Sequence, residues 1–162
     1  INKDVVVPKF DEPKSYPPSH LGKLVKFIPV KDKDVISLLY VLDYYEKDHD
    51  TKPLKYFGQL IGHEGENSLL SFLKNEGWAI EVCTDCDFLL DCMSFFEIEI
   101  VLTRKGLENY EQVVEACFKY FNVIREAGPQ EYFANELKDI GNMKFLFADT
   151  KSAIDTCCDF TR

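Results

Sequence analysis

The sequence predicts an α+β fold, a mostly antiparallel sheet covered by helices. Strand-like segments fall in two pairs, within 24–42 and within 80–102, and each pair is followed by two helix-like segments. The resulting order, β-β-α-α-β-β-α-α, gathers strands between paired helices instead of alternating them singly, which argues for an antiparallel layer with helices on one side. With 46% hydrophobic residues, 13 Phe and 8 Tyr in 162 residues, the chain can build a core, since a domain of this size buries roughly 70% of its unfolded surface.

Residues 1–22 read as a linker between domains and 23–162 as the domain itself. Pro8, Pro13, Pro17 and Pro18 remove backbone donors and favour extended surface chain. Residues 24–30 read as a first strand, with Pro29 marking its end or a sheet edge, and 31–34 as a polar turn. Residues 35–42 are apolar on both alternating sets, as in a central strand covered on both faces. Pro53 suits the first position of a helix in which Leu54, Phe57 and Ile61 share a stripe. Gly62 and Gly65 end it. Asn67 is placed to cap a second helix carrying Leu69, Leu70, Phe72 and Leu73, closed by Gly77, with Trp78 packing back on it.

Residues 80–83 read as a half-buried strand with Ile80 and Val82 inward, 84–93 as a hairpin-like excursion, and 95–102 as the returning strand. In that strand Phe96, Ile98, Ile100 and Leu102 share one face, and Phe95, Glu97, Glu99 and Val101 the other. Thr103 reads as the N-cap of one long helix with a stripe of Leu107, Tyr110, Val114, Cys117, Phe121 and Ile124. Gly128-Pro129 stops it, and Pro129 can open a further helix with a weaker stripe of Phe133, Leu137, Ile140 and Phe147. No periodicity is evident beyond that.

The formal net charge of −9, from 28 Asp+Glu against 19 Lys+Arg, works against nucleic acid and anionic membrane as partners, because both need clustered cations. The longest apolar run, 35–42, is far short of the roughly 20 residues that cross a bilayer. The sequence opens without Met and without a signal-peptide pattern, and so reads as cut from something longer. The six Cys are unevenly spaced and read as reduced thiols, which favours a cytoplasmic setting.

Chemistry-bearing motifs are sparse. Residues 62–67, Gly-His-Glu-Gly-Glu-Asn, begin like H-E-x-x-H but carry Asn67 where the second His must stand. The segment reads as an interhelical loop. Cys83-x-x-Cys86, with Cys92 nearby, is half of a zinc knuckle without a fourth ligand, and reads as unligated loop thiols. G-x-S-x-G and P-loop motifs are absent. No catalytic and no metal-ligating residue is assigned in this chain.

The stretch Phe57-Gly58-Gln59-Leu60-Ile61-Gly62-His63-Glu64-Gly65, followed by Ser68-Leu69-Leu70-Ser71, Leu73-Lys74 and Gly77-Trp78, resembles the insulysin (insulin-degrading enzyme) family of inverted zincins. Further matches are His20-Leu21, then Lys26-Phe27-Ile28-Pro29-Val30-Lys31-Asp32, Leu102-Thr103 with Gly106-Leu107, and Gly128-Pro129-Gln130-Glu131. The resemblance runs from about Val7 to Phe147. It is to the family's second, non-catalytic domain, and implies the insulysin/pitrilysin (mitochondrial processing peptidase-like) metallopeptidase domain fold, here incomplete at its C-terminal end. Family members hold Zn²⁺ through H-x-x-E-H in the first domain, and this chain has no such motif. The resemblance therefore implies a fragment of a zinc metalloendopeptidase acting on peptides, with zinc in the parent's catalytic domain and none here. The alternative is a non-catalytic peptide-binding or scaffold subunit of the same fold.

In insulysin-like enzymes this domain forms part of the chamber wall and holds peptides at an exosite made by a glycine-bounded loop and an edge strand, a case of strand addition. Carried over by position, Gly62 and Glu64 match the loop, and Val82 and Thr84 the strand. Lys55 and Gln59 stand where insulysins have histidines, and Thr84 replaces a strand glycine. The implied partners are peptide substrates and the parent's catalytic and C-terminal domains. The net negative charge fits a wall that attracts cationic peptides.

Overall fold

The computed structural model describes residues 17–30, 33–45, 48, 50–90 and 92–160. The expectations placed on residues 1–16, and on parts of the loops at 31–34 and 43–52, lie outside the described residues. The observed order is β1 (Val35–Leu42), α1 (Pro53–Ile61), α2 (Leu69–Asn75), β2 (Ala79–Leu90), β3 (Met93–Leu102), α3 (Arg104–Glu108), α4 (Tyr110–Ala127), α5 (Glu131–Leu146) and α6 (Ala153–Phe160). The chain divides into two compact units, one running to Glu126 and one beginning at Ala127.

In the first unit, the described strands form one antiparallel sheet in the order β1-β3-β2. Three sequence expectations change here. Residues 24–30 form no strand: Phe27, Ile28 and Val30 are exposed coil, because composition supplies strand propensity but only a partner edge supplies the hydrogen bonds. The central strand is β3, and β1 lies at an edge, its odd-numbered Val35 and Leu39 exposed. The hairpin-like excursion expected at 84–93 is a hairpin, but it is built of paired strand and continues the sheet. β2 continues to Leu90 and β3 begins at Met93, so most of that segment is hairpin strand, the pairing running from Ala79↔Leu102 to Leu90↔Met93.

The even-numbered residues of β3, Phe96 to Leu102, bury themselves as expected with Val82, Leu69, Leu70, Leu73, Val113 and Cys117. A register shift between Ala79 and Glu81 inserts Ile80 as an extra residue. Such a bulge resets the parity of a strand, so Ala79 and Val82 are both buried while Ile80 is 57% exposed, correcting its expected inward placement.

Pro53 does open α1. The cap of α2 is Ser68, not Asn67: the Ser68 Oγ accepts the Ser71 N–H at 3.1 Å, and Asn67 instead takes a left-handed turn (φ 63°). Gly77 (φ 72°) ends α2 as expected. Its N–H bonds the Lys74 carbonyl and the Trp78 N–H reaches the Leu73 carbonyl, the paired closure that a left-handed C′ residue permits. The indole of Trp78 then meets Phe72 edge-on.

Thr103 caps as expected, its Oγ1 accepting the Gly106 N–H at 3.0 Å and donating to the Gly77 carbonyl at 2.7 Å. The single long helix is in fact two. Asn109 interrupts it, and the restart turns Val113, not Val114, to the core. Gly128 (φ 66°) follows the end of α4. In the second unit, α5 starts at Glu131, two residues beyond Pro129; Phe133 is buried, and Phe147 is an exposed C-cap residue. α6 had no periodic signal. Its start is marked by Ser152, whose Oγ accepts the Asp155 N–H at 3.2 Å, an S-x-x-D capping pattern.

Candidate functional site

Sheet geometry decides which backbone groups of β2 are available. The Leu102 N–H bonds the Asp34 carbonyl at 2.9 Å, so the even-numbered residues of β3 direct their main-chain groups to β1 and the odd-numbered ones to β2, since the two directions alternate along an antiparallel strand. With Glu99 opposite Cys83 and Glu97 opposite Asp85, the odd-numbered residues of β2 bond inward. Val82, Thr84 and Cys86 therefore turn N–H and C=O to the free edge. A second observation agrees: the Cys86 N–H is taken by the Asp85 carboxylate of its own strand at 2.8 Å. Among the described residues no strand covers this edge, and an exposed row of this kind is a template for another chain.

Helix α1 lies against the same strand. The Thr84 Oγ1 donates to the Gly58 carbonyl at 3.1 Å, and a Cβ on Gly58 would sit 3.1 Å from that hydroxyl and 3.4 Å from Phe96. A residue without a side chain lets helix and strand approach this closely. Beside the contact runs a groove of about 420 Å³ lined by Lys55, Gln59 and Thr84 together with Tyr45, Asp85 and Cys86. Three of the six expected residues thus share one cleft. Gly62 adjoins it, a Cβ there falling 3.6 Å from the Thr84 Oγ1. Val82 contributes backbone only, its side chain being buried in the core. Glu64 is exposed in the loop between α1 and α2 and is not part of the groove lining.

Tyr45 has no signal in the sequence that points to this groove, and Cys86 reads there as an unligated loop thiol. For Asp85 and Cys86 the signal was the alternation of Cys83, Asp85 and Asp87 with Thr84 and Cys86, which extends the strand past Thr84. That same alternation removes the zinc or redox pair. Cys83 lies on the outer face and Cys86 on the helix-covered face, so the two thiols cannot meet one ion. Partial burial and Glu81 push the Cys83 thiol above its ordinary value, and burial with Asp85 does the same for Cys86, which leaves both protonated near neutrality and poor as nucleophiles. All six cysteines are unbridged.

The outer face of the sheet is acidic. Asp85 stands opposite Glu97 and Cys83 opposite Glu99, with Lys33 pairing Glu99 at 3.3 Å. Among the described residues no three His, Cys, Asp or Glu come together as a metal-holding group, and no helix is long and apolar enough to cross a membrane. Among the described residues, Cys83 and Cys86 on opposite faces form no zinc-binding pair.

Residues 3–140 match the model of the peptidase M16 inactive domain. The chain belongs to the peptidase M16 family. It is 35% identical over 150 residues to the A-factor-processing enzyme of Saccharomyces cerevisiae, covering 93% of this chain and 14% of that protein. It is likewise 35% identical over 148 residues to human insulin-degrading enzyme, covering 91% of this chain and 14% of that protein. Pitrilysin, a solved structure, superposes with a TM-score of 0.74 at 25% identity over 79% of this chain and 14% of its own. The α+β fold is the pitrilysin fold, and the insulysin-like assignment holds. The chain spans about one seventh of the length of these relatives.

Proposed function

We propose that this chain is a substrate-holding wall of an insulysin-like zinc metalloendopeptidase. An extended peptide adds as a strand to β2, pairing with the main chain of Val82 and Thr84, while its side chains enter the groove of Lys55, Gln59 and Thr84; Gly62 and Glu64 bound the site on the loop side. Zinc and the groups that activate water belong to the parent's catalytic domain, which this chain joins through residues 1–22 and faces, with the C-terminal domains, across a peptide chamber. Unbridged cysteines suit a reducing compartment such as the cytoplasm.

The observation that carries the reading is the free edge of β2, with alternate main-chain groups of Val82 and Thr84 directed away from β3. Strand addition derives its affinity from main-chain hydrogen bonds. An extended eight-residue peptide is therefore compared with versions N-methylated at alternate amides. Methylation of the amides facing β2 abolishes binding, and methylation of the other set leaves it. Equal loss from both sets contradicts the reading. The chain alone, supplied with zinc, hydrolyses no peptide.

A further inference from the structure

We propose that the groove selects peptides carrying a carboxylate, received by Lys55 with Lys52 beside it; this rests on the strand-addition reading above. Lys52, held in a left-handed backbone (φ 46°), immediately precedes α1, and Lys55 lies in its first turn. Both are exposed and both line the groove. The first turn of α1 carries no acidic residue, and its N-cap side chain makes no capping bond, so two ammonium groups and the free N–H groups of that turn present the same sign to the cleft. Among the described residues neither lysine forms an ion pair.

Two acidic residues line the cleft, Asp48 and Asp85. The Asp85 carboxylate is turned back on its own strand, holding the Cys86 N–H at 2.8 Å. That bond also covers the edge donor beyond Thr84. Pairing with an incoming strand therefore ends at Thr84, and the peptide leaves the sheet along the α1 side of the groove. Asp48 lies at the Lys52 end of the groove, its carbonyl taking the Lys52 N–H at 2.8 Å, and Lys55 follows in the first turn of α1. With Gln59 one turn along the same helix face, Lys55 offers a charged donor beside a neutral amide, a pair suited to a carboxylate. The cleft thus departs from the acidic character of the chain, whose net charge is −9, and from the cationic-peptide preference that the charge alone suggests.

The carboxylate has two sources, an acidic side chain or a C-terminus. Calorimetric titration of the 162-residue chain separates them with four otherwise identical N-acetylated peptides: Glu with a C-terminal amide, Gln with an amide, Gln with a free C-terminus, and Lys with an amide. At low salt, one or both carboxylate peptides bind about fivefold tighter than the Gln amide, as expected for one or two partly exposed charge pairs. Lys55→Gln removes that gain and Lys55→Arg keeps it. A gain for Glu alone assigns a side chain; a gain for the free C-terminus alone assigns a terminus. Equal affinity of all four, or tighter binding of the Lys peptide, overturns carboxylate selection while leaving strand addition standing. Failure of all four to bind overturns both.

Discussion

Gly106 is where the packing of the sheet unit is most exposed to a single methyl group. A Cβ there would overlap the Trp78 carbonyl oxygen and lie 2.8 Å from its carbon and 3.1 Å from its Cα. These are backbone atoms, so no rotamer change relieves them. The Trp78 carbonyl is also the acceptor of the Thr103 N–H at 3.0 Å, and the Gly106 N–H is the one capped by the Thr103 Oγ1. For Gly106→Ala, overpacking costs about 1–3 kcal/mol and a disturbed cap about 1 kcal/mol. Alanine's helix propensity returns about 1 kcal/mol. The net destabilisation expected is about 1–3 kcal/mol, a fall in Tm of roughly 2–12 °C for a chain of this size. Urea unfolding followed by circular dichroism, with a thermal scan alongside, measures both. A variant within about 0.5 kcal/mol of the parent, inside the ordinary range for surface changes, would refute the claim that α3 is docked on the Trp78 backbone.

Gly141→Ala is the converse case. It lies within α5 with open space around it, so the same replacement raises stability by about 0.5–1 kcal/mol in the same urea assay. Cys117 is fully buried, and burial pushes its thiol up to about 12 from 9.0. The folded state thus holds this proton more tightly than the unfolded chain. Its contribution to stability is complete below about pH 9 and lost progressively as pH rises through about 12. Unfolding midpoints taken between pH 8 and 11 should fall at the alkaline end, and in Cys117→Ala that fall should be smaller. Iodoacetamide at neutral pH labels exposed Cys83 before Cys117, which reacts only with unfolding.

Much of the architecture was legible from local chemistry. Pro53 with its apolar stripe marked α1, Gly77 marked the end of α2, and the parity of Phe96, Ile98, Ile100 and Leu102 marked the buried face. Long-range choices were not legible. β1 is apolar on both alternating sets yet lies at an edge, while β3 carries Glu97 and Glu99 and is central; which strand stands between the others depends on pairing, not composition. Asp85 and Asp87 look like a loop, but pairing with β3 overrides their weak strand preference. The bulge at Ile80 defeats any reading by strict alternation. Lys55, Gln59 and Thr84 came from resemblance to a family, and their meeting in one groove needed the structure. The turn of Asp85 onto the Cys86 amide has no sequence signature.

Hydrogen exchange at single amides of β2 tests the central account most directly, because the free edge assigns opposite fates to neighbouring residues. In the chain alone, the Val82 and Thr84 amides should exchange faster than those of Cys83 and Asp85, which are bonded to β3. A saturating extended peptide should slow Val82 and Thr84 strongly and leave Cys83 and Asp85 nearly unchanged. Binding that leaves Val82 and Thr84 as fast as before would contradict strand addition at this edge.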